Sequence, residues 1–319
     1  MPFCVMGTGS ALPARVVTND ELSEFLDTSD EWIFSRTGIS KRHICTTETL
    51  DDLACEASIS ALADAGVTPG ELDLILCTTT SGDHLMPAEA CAVAEALGAH
   101  CAAFDISAAC AGFIFALDVA EGWFVRGKAK HILIVSAEKF SRLLDWTDRT
   151  TCVLFGDGAA AAVLGLDEQA DVLWLHTTTM PDVSSLNVAG LTGKSPYDDC
   201  EHAASLLTMR GRRIFKFSVE EICHEVIAAC DAVGISLDSV DHFVFHQANE
   251  RILSAAQQRL GISNTKVAHT LATTGNISSA CIPYALDRLA KAHKLKRGQL
   301  VLLVGFGAGL DVGSCLLRW

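Results

Sequence analysis

The sequence lacks the long hydrophobic runs that a membrane-spanning helix needs. No apolar run among its 319 residues approaches the roughly 18 residues that are required to cross a bilayer. The first residues, Met-Pro-Phe-Cys-Val-Met-Gly, carry neither a basic segment nor a cleavable hydrophobic segment. We therefore expect no secretory signal and no membrane partner.

Paired cysteines and a basic excess are also missing. The 13 cysteines are odd in number, and no two of them have Cys-x-x-Cys spacing. This pattern argues against a disulfide framework and a zinc site, and it favours a reducing cytoplasm. The formal net charge of −15 argues against nucleic acid as a partner, because phosphate neutralisation needs a basic face. We expect no bound metal.

One basic segment runs against the acidic balance of the chain. Four of the seven residues 210–216 are arginine or lysine. Such a cluster is able to bind an anionic partner, but it is equally typical of a solvated surface turn. The segment alone leaves both interpretations open.

The hydrophobic pattern predicts an α/β fold. Half of the residues are hydrophobic, and continuous apolar runs that are typical of buried strands alternate with helical patterns. The predicted strands include residues 3–9, 72–78, 131–135, 242–245 and 300–304. The predicted helices include residues 51–65, 86–97 with Pro87 in the first turn, 112–127, 215–233, 249–260 and 284–293. Residues 180–205 are predicted to form a loop, and the sheet is predicted to be mostly parallel.

An internal repeat divides the chain into two similar halves. Short matches recur at an offset of 168 positions, for example residues 66–68 with 234–236 and 132–135 with 300–303. We infer one half at residues 1–168 and another at 169–319. The same offset places Cys110 on Ser278, within the turn that contains Asn276.

Three polar residues lie at strand ends or helix starts. Cys110 falls where a strand hands over to a helix, and the N-terminus of a helix favours the nucleophilic thiolate. His246 follows a strand, and Asn276 lies on the equivalent turn of the second half. Ligand sites of open α/β sheets form at such strand ends. Each residue also has a structural alternative: Cys110 as a buried core cysteine, His246 as a buried histidine at a strand end, and Asn276 as a helix cap. The combination favours catalysis, because developing negative charge near a nucleophile needs donors.

Several motifs, in one order along the chain, resemble those of a known family. They are Gly7-Thr-Gly-Ser10, Asp27-Thr-Ser-Asp-Glu-Trp32, Ala108-Ala-Cys-Ala-Gly-Phe113, Phe155-Gly-Asp-Gly-Ala159, His246-Gln-Ala-Asn249, Gly275-Asn276 and Phe306-Gly-Ala-Gly309. The chain resembles β-ketoacyl-acyl carrier protein synthase III, the initiating condensing enzyme of bacterial type II fatty acid synthesis in the thiolase superfamily. The resemblance implies a thiolase-like duplicated αβαβα five-layer sandwich.

The resemblance also implies catalytic roles. Cys110 would accept a short acyl group from acyl-CoA, and the backbone amides of Cys110 and Ala308 would form the oxyanion hole. His246 and Asn276 would bind the thioester carbonyl of malonyl-acyl carrier protein and stabilise the carbanion formed by decarboxylation. That carbanion would attack the acyl-cysteine and yield a β-ketoacyl product. Coenzyme A enters as a substrate thioester, and no separate cofactor is expected.

Binding roles are implied in the same way. Trp32 and Arg149 would sandwich the coenzyme A adenine, with Thr28 and Arg36 nearby. The acidic carrier protein would meet three basic residues, Arg213, Lys216 and Arg251. A homodimer is implied, in which Met86 would shape the acyl pocket across the interface.

Departures from the family pattern leave the primer open. Residues 273–274, Ile277 and residues 310–312 differ from those common in the family. One alternative is a condensing enzyme or acyltransferase of secondary metabolism that uses an unusual acyl or aryl primer. Another is a non-catalytic partner that only binds acyl-CoA or a carrier protein.

Overall fold

Two β-sheets position the other elements of the molecule. The computed structural model describes residues 3–166, 171–190, 197 and 206–319. The strands are β1 (Phe3–Ala11), β2 (Val16–Thr18), β3 (Lys41–His43), β4 (Leu74–Thr78), β5 (Ala102–Ile106), β6 (His131–Lys139), β7 (Asp157–Leu166), β8 (Asp171–Thr179), β9 (Leu186–Asn187), β10 (Thr208–Met209), β11 (His242–Phe245), β12 (Leu300–Gly307) and β13 (Asp311–Arg318).

Helices follow most of these strands along the chain. They are α1 (Asn19–Ser23), α2 (Asp30–Thr37), α3 (Leu50–Ala65), α4 (Glu89–Leu97), α5 (Gly112–Val125), α6 (Gly211–Val233), α7 (Glu250–Leu260), α8 (Leu271–Thr274) and α9 (Cys281–Lys291). The first sheet has the strand order β1-β7-β6-β4-β5, and the second has the order β11-β12-β13-β8.

The hydrophobic core stacks these elements in five layers. Helices α5 and α9 are buried between the two sheets, where Phe113 and Ile114 share one apolar cluster with Ile282 and Leu286. Helices α3 and α4 cover the outer face of the first sheet, and α6 and α7 cover that of the second. Each sheet is therefore apolar on both faces, which explains the continuous hydrophobic runs. The predicted five-layer sandwich is confirmed.

Local sequence signals define the ends of several helices. In α3 the Thr49 hydroxyl accepts from the amide of Asp52, the Asp52 side chain accepts from the Thr49 amide, and the helix ends at Gly66 with a φ of 68°. A capping box and a left-handed glycine are the expected start and stop of a helix. The predicted helix 51–65 is confirmed to within one residue.

The prediction of a mostly parallel sheet is wrong. Strand β4 runs parallel to β5 and β6, and β11 runs parallel to β12. The pairs β1/β7, β6/β7, β12/β13 and β8/β13 are antiparallel. Because helices bury both faces of each sheet, its antiparallel strands are as uniformly apolar as its parallel ones. The hydrophobic pattern therefore cannot distinguish parallel from antiparallel strands in this chain.

Helix starts were predicted less accurately than helix ends. The helix predicted from residue 86 begins at Glu89, so Pro87 lies before its first turn. The Asp105 carboxylate accepts from the amides of Glu89 and Ala90 at 2.8 and 2.9 Å, and this cap comes from a distant strand that local sequence does not reveal. The helix predicted from residue 284 begins at Cys281, and the one predicted from residue 215 begins at Gly211. The basic segment therefore lies mainly in the first turns of α6.

The repeat is visible in the strand pairing, with one correction. Strands β1 and β8 lie 168 positions apart, as predicted. Leu74 and its equivalent His242 lie 168 positions apart, but their strand partners Ile132 and Val301 lie 169 apart, and so do the 3-10 turns Ala109–Ala111 and Ser278–Ala280. The offset therefore grows before the cysteine turn, and the prediction that Cys110 falls on Ser278 is wrong, because its equivalent is Ser279. The boundary at 168 lies outside the described residues and stays a prediction. Of the predicted loop 180–205, residues 186–187 form β9, and residues 191–196 and 198–205 lie outside the described part.

No helix within the described residues combines the length and the hydrophobicity needed to traverse a lipid bilayer.

Candidate active site

The turn around Cys110 joins the edge strand of the first sheet to the central layer. Strand β5 ends at Ile106, a 3-10 turn covers Ala109–Ala111, and α5 begins at Gly112. Only 5% of Cys110 is exposed. A Cβ atom on Gly307 would lie 2.7 Å from the Cys110 amide nitrogen, so only glycine allows β12 to approach this closely. The predicted oxyanion residue Ala308 follows directly.

The turn around Asn276 is held by its backbone and by its own side chain. The amide of Asn276 donates to the Leu154 carbonyl at 2.8 Å, and its carbonyl accepts from the Gly156 amide at 3.0 Å. The Asn276 Oδ1 atom accepts from the Ser278 amide at 2.8 Å. With the oxygen engaged, the side-chain NH₂ group is the part of Asn276 available to a ligand.

His246 lies directly after β11, with its imidazole against the Phe306 ring. The ring centroids are 5.0 Å apart in an edge-on arrangement, and only 1% of His246 is exposed. Its Nδ1 atom is buried without a hydrogen-bond partner among the described residues. Burial lowers the pKa of His246 to about 3, so the imidazole is neutral at physiological pH.

The expected thiolate at Cys110 is not the resting form. Burial raises the pKa of Cys110 to about 12, and the Glu138 charge raises it as well. A hydrogen bond with Ser278 acts in the opposite direction. The desolvation of sulfur outweighs the helix N-terminus from which the thiolate was predicted. The resting site therefore pairs a thiol with a neutral imidazole.

One cavity of about 840 Å³ brings the predicted catalytic residues together. Cys110, His246, Asn276 and Ala308 all line it, although they come from four separate segments. Much of the remaining wall is apolar and includes Phe140, Leu143, Leu154, Phe155 and Leu207. The cavity is large enough for an acyl chain, and its lining combines this apolar wall with the polar side chains of Cys110, His246 and Asn276.

The exposed part of the cavity carries an indole with two guanidinium groups close to its ring. Arg36 and Arg149 lie 4.5 and 4.9 Å from the centroid of Trp32. All three residues line the cavity, whereas Thr28 does not. The predicted position of the adenine, stacked on Trp32 on one side and on Arg149 on the other, would need about 7 Å between these two groups. Because Arg149 lies only 4.9 Å from the Trp32 centroid, it would have to move outward by about 2 Å. Its present partner is Asp27, which accepts from it through the backbone and the carboxylate.

The predicted carrier-protein residues lie near the same opening. Arg251 lines the cavity, together with Gly211 and Phe215 of the first turns of α6. Arg213 and Lys216 project from that helix into solvent, and they contact Asp182 at 3.4 Å and Glu220 at 3.8 Å. The basic segment is thus a helix surface beside the cavity.

Met86, predicted to shape the acyl pocket, does not line the cavity of its own chain. Its side chain is 85% exposed, and that of the neighbouring Leu85 is 77% exposed. Two neighbouring apolar side chains therefore extend into solvent at this point of the surface.

Glu138 was missed by the sequence analysis. It is fully buried at the end of β6, and its carboxylate accepts from the hydroxyls of Ser278 and Ser279, both at 2.9 Å. Ser278 also lies 3.4 Å from the Cys110 sulfur. The available signal was one acidic residue at the end of a strand that is otherwise apolar, since such residues are seldom buried without a purpose.

The duplicated five-layer sandwich is the architecture of thiolase-like condensing enzymes. The chain is similar to the crystal structure of 3-oxoacyl-[acyl-carrier-protein] synthase III from Aquifex aeolicus, with a TM-score of 0.92 and 39% identity over 99% of this chain and 100% of that chain. It is equally close in fold, with a TM-score of 0.92 and 36% identity, to the priming β-ketosynthase of the R1128 polyketide pathway, over 99% of this chain and 96% of that one.

Sequence comparison identifies the family. Residues 104–182 match 3-oxoacyl-[acyl-carrier-protein] synthase III, and residues 230–319 match the C-terminal part of the same family. The β-ketoacyl-[acyl-carrier-protein] synthase III of Xanthomonas oryzae is 43% identical over 99% of this chain and 98% of its own length. The chain belongs to the synthase III family, and the predicted class of condensing acyltransferase is confirmed.

Proposed function

We propose that the protein joins a short-chain acyl-CoA to malonyl-acyl carrier protein by decarboxylative Claisen condensation, which initiates fatty acid synthesis. The observation that carries this function is the shared cavity of Cys110, His246 and Asn276. A nucleophile from the first part of the chain lines the same cavity as two nitrogen donors from the second. Such a set supports a covalent step followed by carbanion chemistry.

In the first step the Cys110 sulfur attacks the thioester carbonyl of acyl-CoA. A sulfur–carbon bond forms to the acyl group, the bond to the coenzyme A sulfur breaks, and the thiol proton ends on the departing sulfur. Negative charge develops on the carbonyl oxygen, and the amides of Cys110 and Ala308 are the donors assigned to it. The cavity wall excludes water from the resulting thioester.

In the second step the malonyl thioester replaces coenzyme A. The neutral imidazole of His246 and the NH₂ group of Asn276 donate to its carbonyl oxygen. As carbon dioxide leaves, the bonding electrons pass into an enolate whose charge these donors stabilise. The enolate carbon then bonds to the acyl carbon, the bond between that carbon and the Cys110 sulfur breaks, and the departing thiolate takes up a proton from solvent, which restores the resting thiol.

An acidic carrier protein fits the basic groups at the cavity opening. Arg213, Lys216 and Arg251 are exposed on α6 and α7, although the whole chain has a net charge of −15. A local basic patch on an acidic protein selects and orients an acidic partner. We assign the carrier protein to this surface.

A second copy of the chain fits the edge of the first sheet. Strand β5 is an outer strand, and Phe104 is 36% exposed on it. Unpaired edge strands with apolar side chains favour pairing with another strand. We propose a homodimer through this edge, in which the exposed Met86 enters the partner's acyl pocket. A cytoplasmic location fits the many free cysteines among the described residues, which include Cys110 and Cys281.

The alternative function keeps the chemistry and changes the primer. The departures from the family pattern at residues 273–274, Ile277 and residues 310–312 support this alternative, and the similarity to a priming synthase of a polyketide pathway points the same way. An unusual acyl or aryl primer of secondary metabolism is then the substrate.

Intact-protein mass spectrometry tests both functions. Incubation with acetyl-, branched-chain and aryl-CoA is expected to add one acyl mass to Cys110, and the preferred primer reacts fastest. Cys110→Ser removes the adduct, whereas the matched change Cys281→Ser retains it, because Cys281 is buried but does not line the cavity. An adduct that survives Cys110→Ser contradicts the proposal. Faster reaction with aryl-CoA than with acetyl-CoA selects the alternative.

A further inference from the structure

A buried carboxylate lies beside the nucleophile and has no place in the mechanism above. Glu138 is inaccessible to solvent at the end of β6. Its Oε2 atom accepts from the Ser81 hydroxyl at 2.5 Å and from the Thr80 amide at 3.2 Å. Its Oε1 atom accepts from the hydroxyls of Ser278 and Ser279. The cluster ties the first sheet to the Asn276 turn.

These donors favour the ionised form of the carboxylate. The Thr80 amide can only donate, and the Ser81 oxygen already accepts from the Lys139 amide at 2.8 Å, so the Ser81 hydrogen points to Glu138. Burial is the largest influence and raises the pKa of Glu138 above its ordinary value, and the hydrogen bonds from Ser81, Thr80 and the two serines oppose that rise. A carboxylate that accepts several such bonds favours its charged form.

Ser278 connects this charge to the nucleophile. Its oxygen lies 2.9 Å from Glu138 Oε1 and 3.4 Å from Cys110 Sγ. A hydroxyl has a single hydrogen, which can serve only one of these neighbours at a time. While Cys110 is a thiol, the hydrogen goes to the carboxylate and the lone pairs of Ser278 face the S–H group. A thiolate needs the same hydrogen for itself.

We propose that the Ser278 hydroxyl is a two-position switch for the nucleophile, and that Glu138 is a positioning residue which acts through it. The hydroxyl donates to Glu138 while Cys110 is a thiol and turns to the sulfur as the S–H proton leaves. Ser278 then stabilises the thiolate, whereas the Glu138 charge opposes it. The two residues set the reactivity of Cys110 in opposite directions.

Other titratable groups near Cys110 do not titrate in the working range. His246 is neutral above about pH 3. Burial raises the pKa of Cys281, whose sulfur faces Asn276 Oδ1 at 3.6 Å, far above neutrality. The pH dependence of the reactivity of Cys110 between about pH 6 and pH 10 therefore reports the ionisation of Cys110 itself, which Ser278 and Glu138 bias in opposite directions.

The test is the rate at which iodoacetamide alkylates Cys110, followed by mass spectrometry of its peptide. Ser278→Ala is expected to slow alkylation, and Glu138→Gln to accelerate it. A pKa change of one unit alters the thiolate fraction about tenfold and the net rate about threefold, because nucleophilicity partly compensates. The pH profile moves to higher pH for Ser278→Ala and to lower pH for Glu138→Gln.

The matched control is Ser279→Ala, which removes another hydroxyl from Glu138 but leaves the contact of Ser278 with Cys110. Its alkylation rate is expected to stay within a factor of about two of the unmodified protein. Circular dichroism and Tm identify any variant that fails to fold. If Glu138→Gln fails to fold, the direction in which Ser278→Ala moves the pH profile of alkylation tests the switch.

The proposed switch is overturned if Ser278→Ala and Glu138→Gln move the pH profile of Cys110 alkylation in the same direction, or if Ser278→Ala leaves that profile unchanged. The inference rests on the proposed function, because it takes Cys110 as the nucleophile. The two failures are distinguishable. An unmodified protein that forms no acyl adduct with any primer contradicts the function, whereas an adduct together with an unchanged Ser278→Ala profile contradicts only the switch.

Discussion

The turn around Cys110 and the turn around Asn276 follow the same backbone course. Each is a 3-10 turn that leads into a helix of the central layer, and each contains a non-glycine residue with positive φ, Ala109 at 44° and Ser278 at 51°. The first presents a sulfur that forms a covalent bond. The second presents an amide whose orientation its own backbone fixes. The two halves thus share one backbone conformation at this turn, and they differ in the side chain that the turn presents, a thiol in the first half and an amide in the second.

The two turns also differ in what holds them. Gly307, from the second sheet, packs against the backbone of Cys110. Glu138, from the first sheet, holds the hydroxyls of Ser278 and Ser279. Each turn is therefore supported by the opposite part of the chain. Neither part forms the site alone.

The largest expected effect is a loss of condensation without a loss of acylation, because each turn serves a different step of the reaction. Asn276→Ala and His246→Ala remove donors that stabilise the carbanion, so condensation is expected to fall about 100- to 10,000-fold. The acyl adduct on Cys110 is expected to form normally in both variants. Product formation measured beside the adduct mass checks this division. Condensation at the normal rate without either donor rejects their role.

A smaller effect tests the support of the cysteine turn. Gly307→Ala places a Cβ atom 2.7 Å from the Cys110 amide nitrogen and displaces the nucleophile. A displacement of about 1 Å slows a reaction about 100-fold, so acylation slows without loss of the thiol. Stopped-flow acylation kinetics provides the measurement.

The matched control for this change is Gly122→Ala in α5, where the added Cβ meets nothing within 4 Å. We expect normal acylation and unchanged or increased stability, because alanine favours the helix. Equal acylation rates in the two variants would show that the close packing is unimportant.

A modest effect concerns the exposed part of the cavity. Arg149→Ala removes one cation from the Trp32 ring, a contact worth about 0.5–1 kcal/mol at exposed sites. The KM for acyl-CoA is expected to rise about two- to fivefold with kcat unchanged. Acyl-pantetheine, which lacks the adenine, is the comparison substrate. An equal rise in KM for both substrates contradicts adenine stacking.

The last expected effect concerns stability instead of activity, and it is the acid sensitivity of the fold. The pKa of His246 lies at about 3 in the folded protein and near 6.5 when unfolded. Between these values the unfolded chain binds the extra proton, so stability is lost as the pH falls from about 6.5 towards 3. His246→Gln removes this loss, and its Tm is expected to fall less between about pH 7 and pH 5. Parallel Tm curves would contradict a buried neutral imidazole.

The features that local sequence encodes were predictable. The end of α3 at Gly66 follows from its left-handed glycine, and the strand 242–245 follows from its apolar run. The motifs around Cys110, His246 and Asn276 also fall together in one cavity, as the repeat suggested.

The features that depend on distant partners were not predictable. The start of α4 depends on Asp105, a residue of another element. The resting thiol depends on how completely the fold desolvates Cys110, which no spacing reveals. Glu138 acquires its role only because Ser278 is brought to it from 140 positions away.

Decarboxylation by a variant without the nucleophile tests the central division of labour most directly. Cys110→Ala leaves His246 and Asn276 in place, and the release of carbon dioxide from malonyl-acyl carrier protein can be measured without any acyl primer. We predict that decarboxylation persists while condensation disappears, and that adding Asn276→Ala abolishes the decarboxylation. Loss of decarboxylation in Cys110→Ala, with the fold intact, would contradict the account.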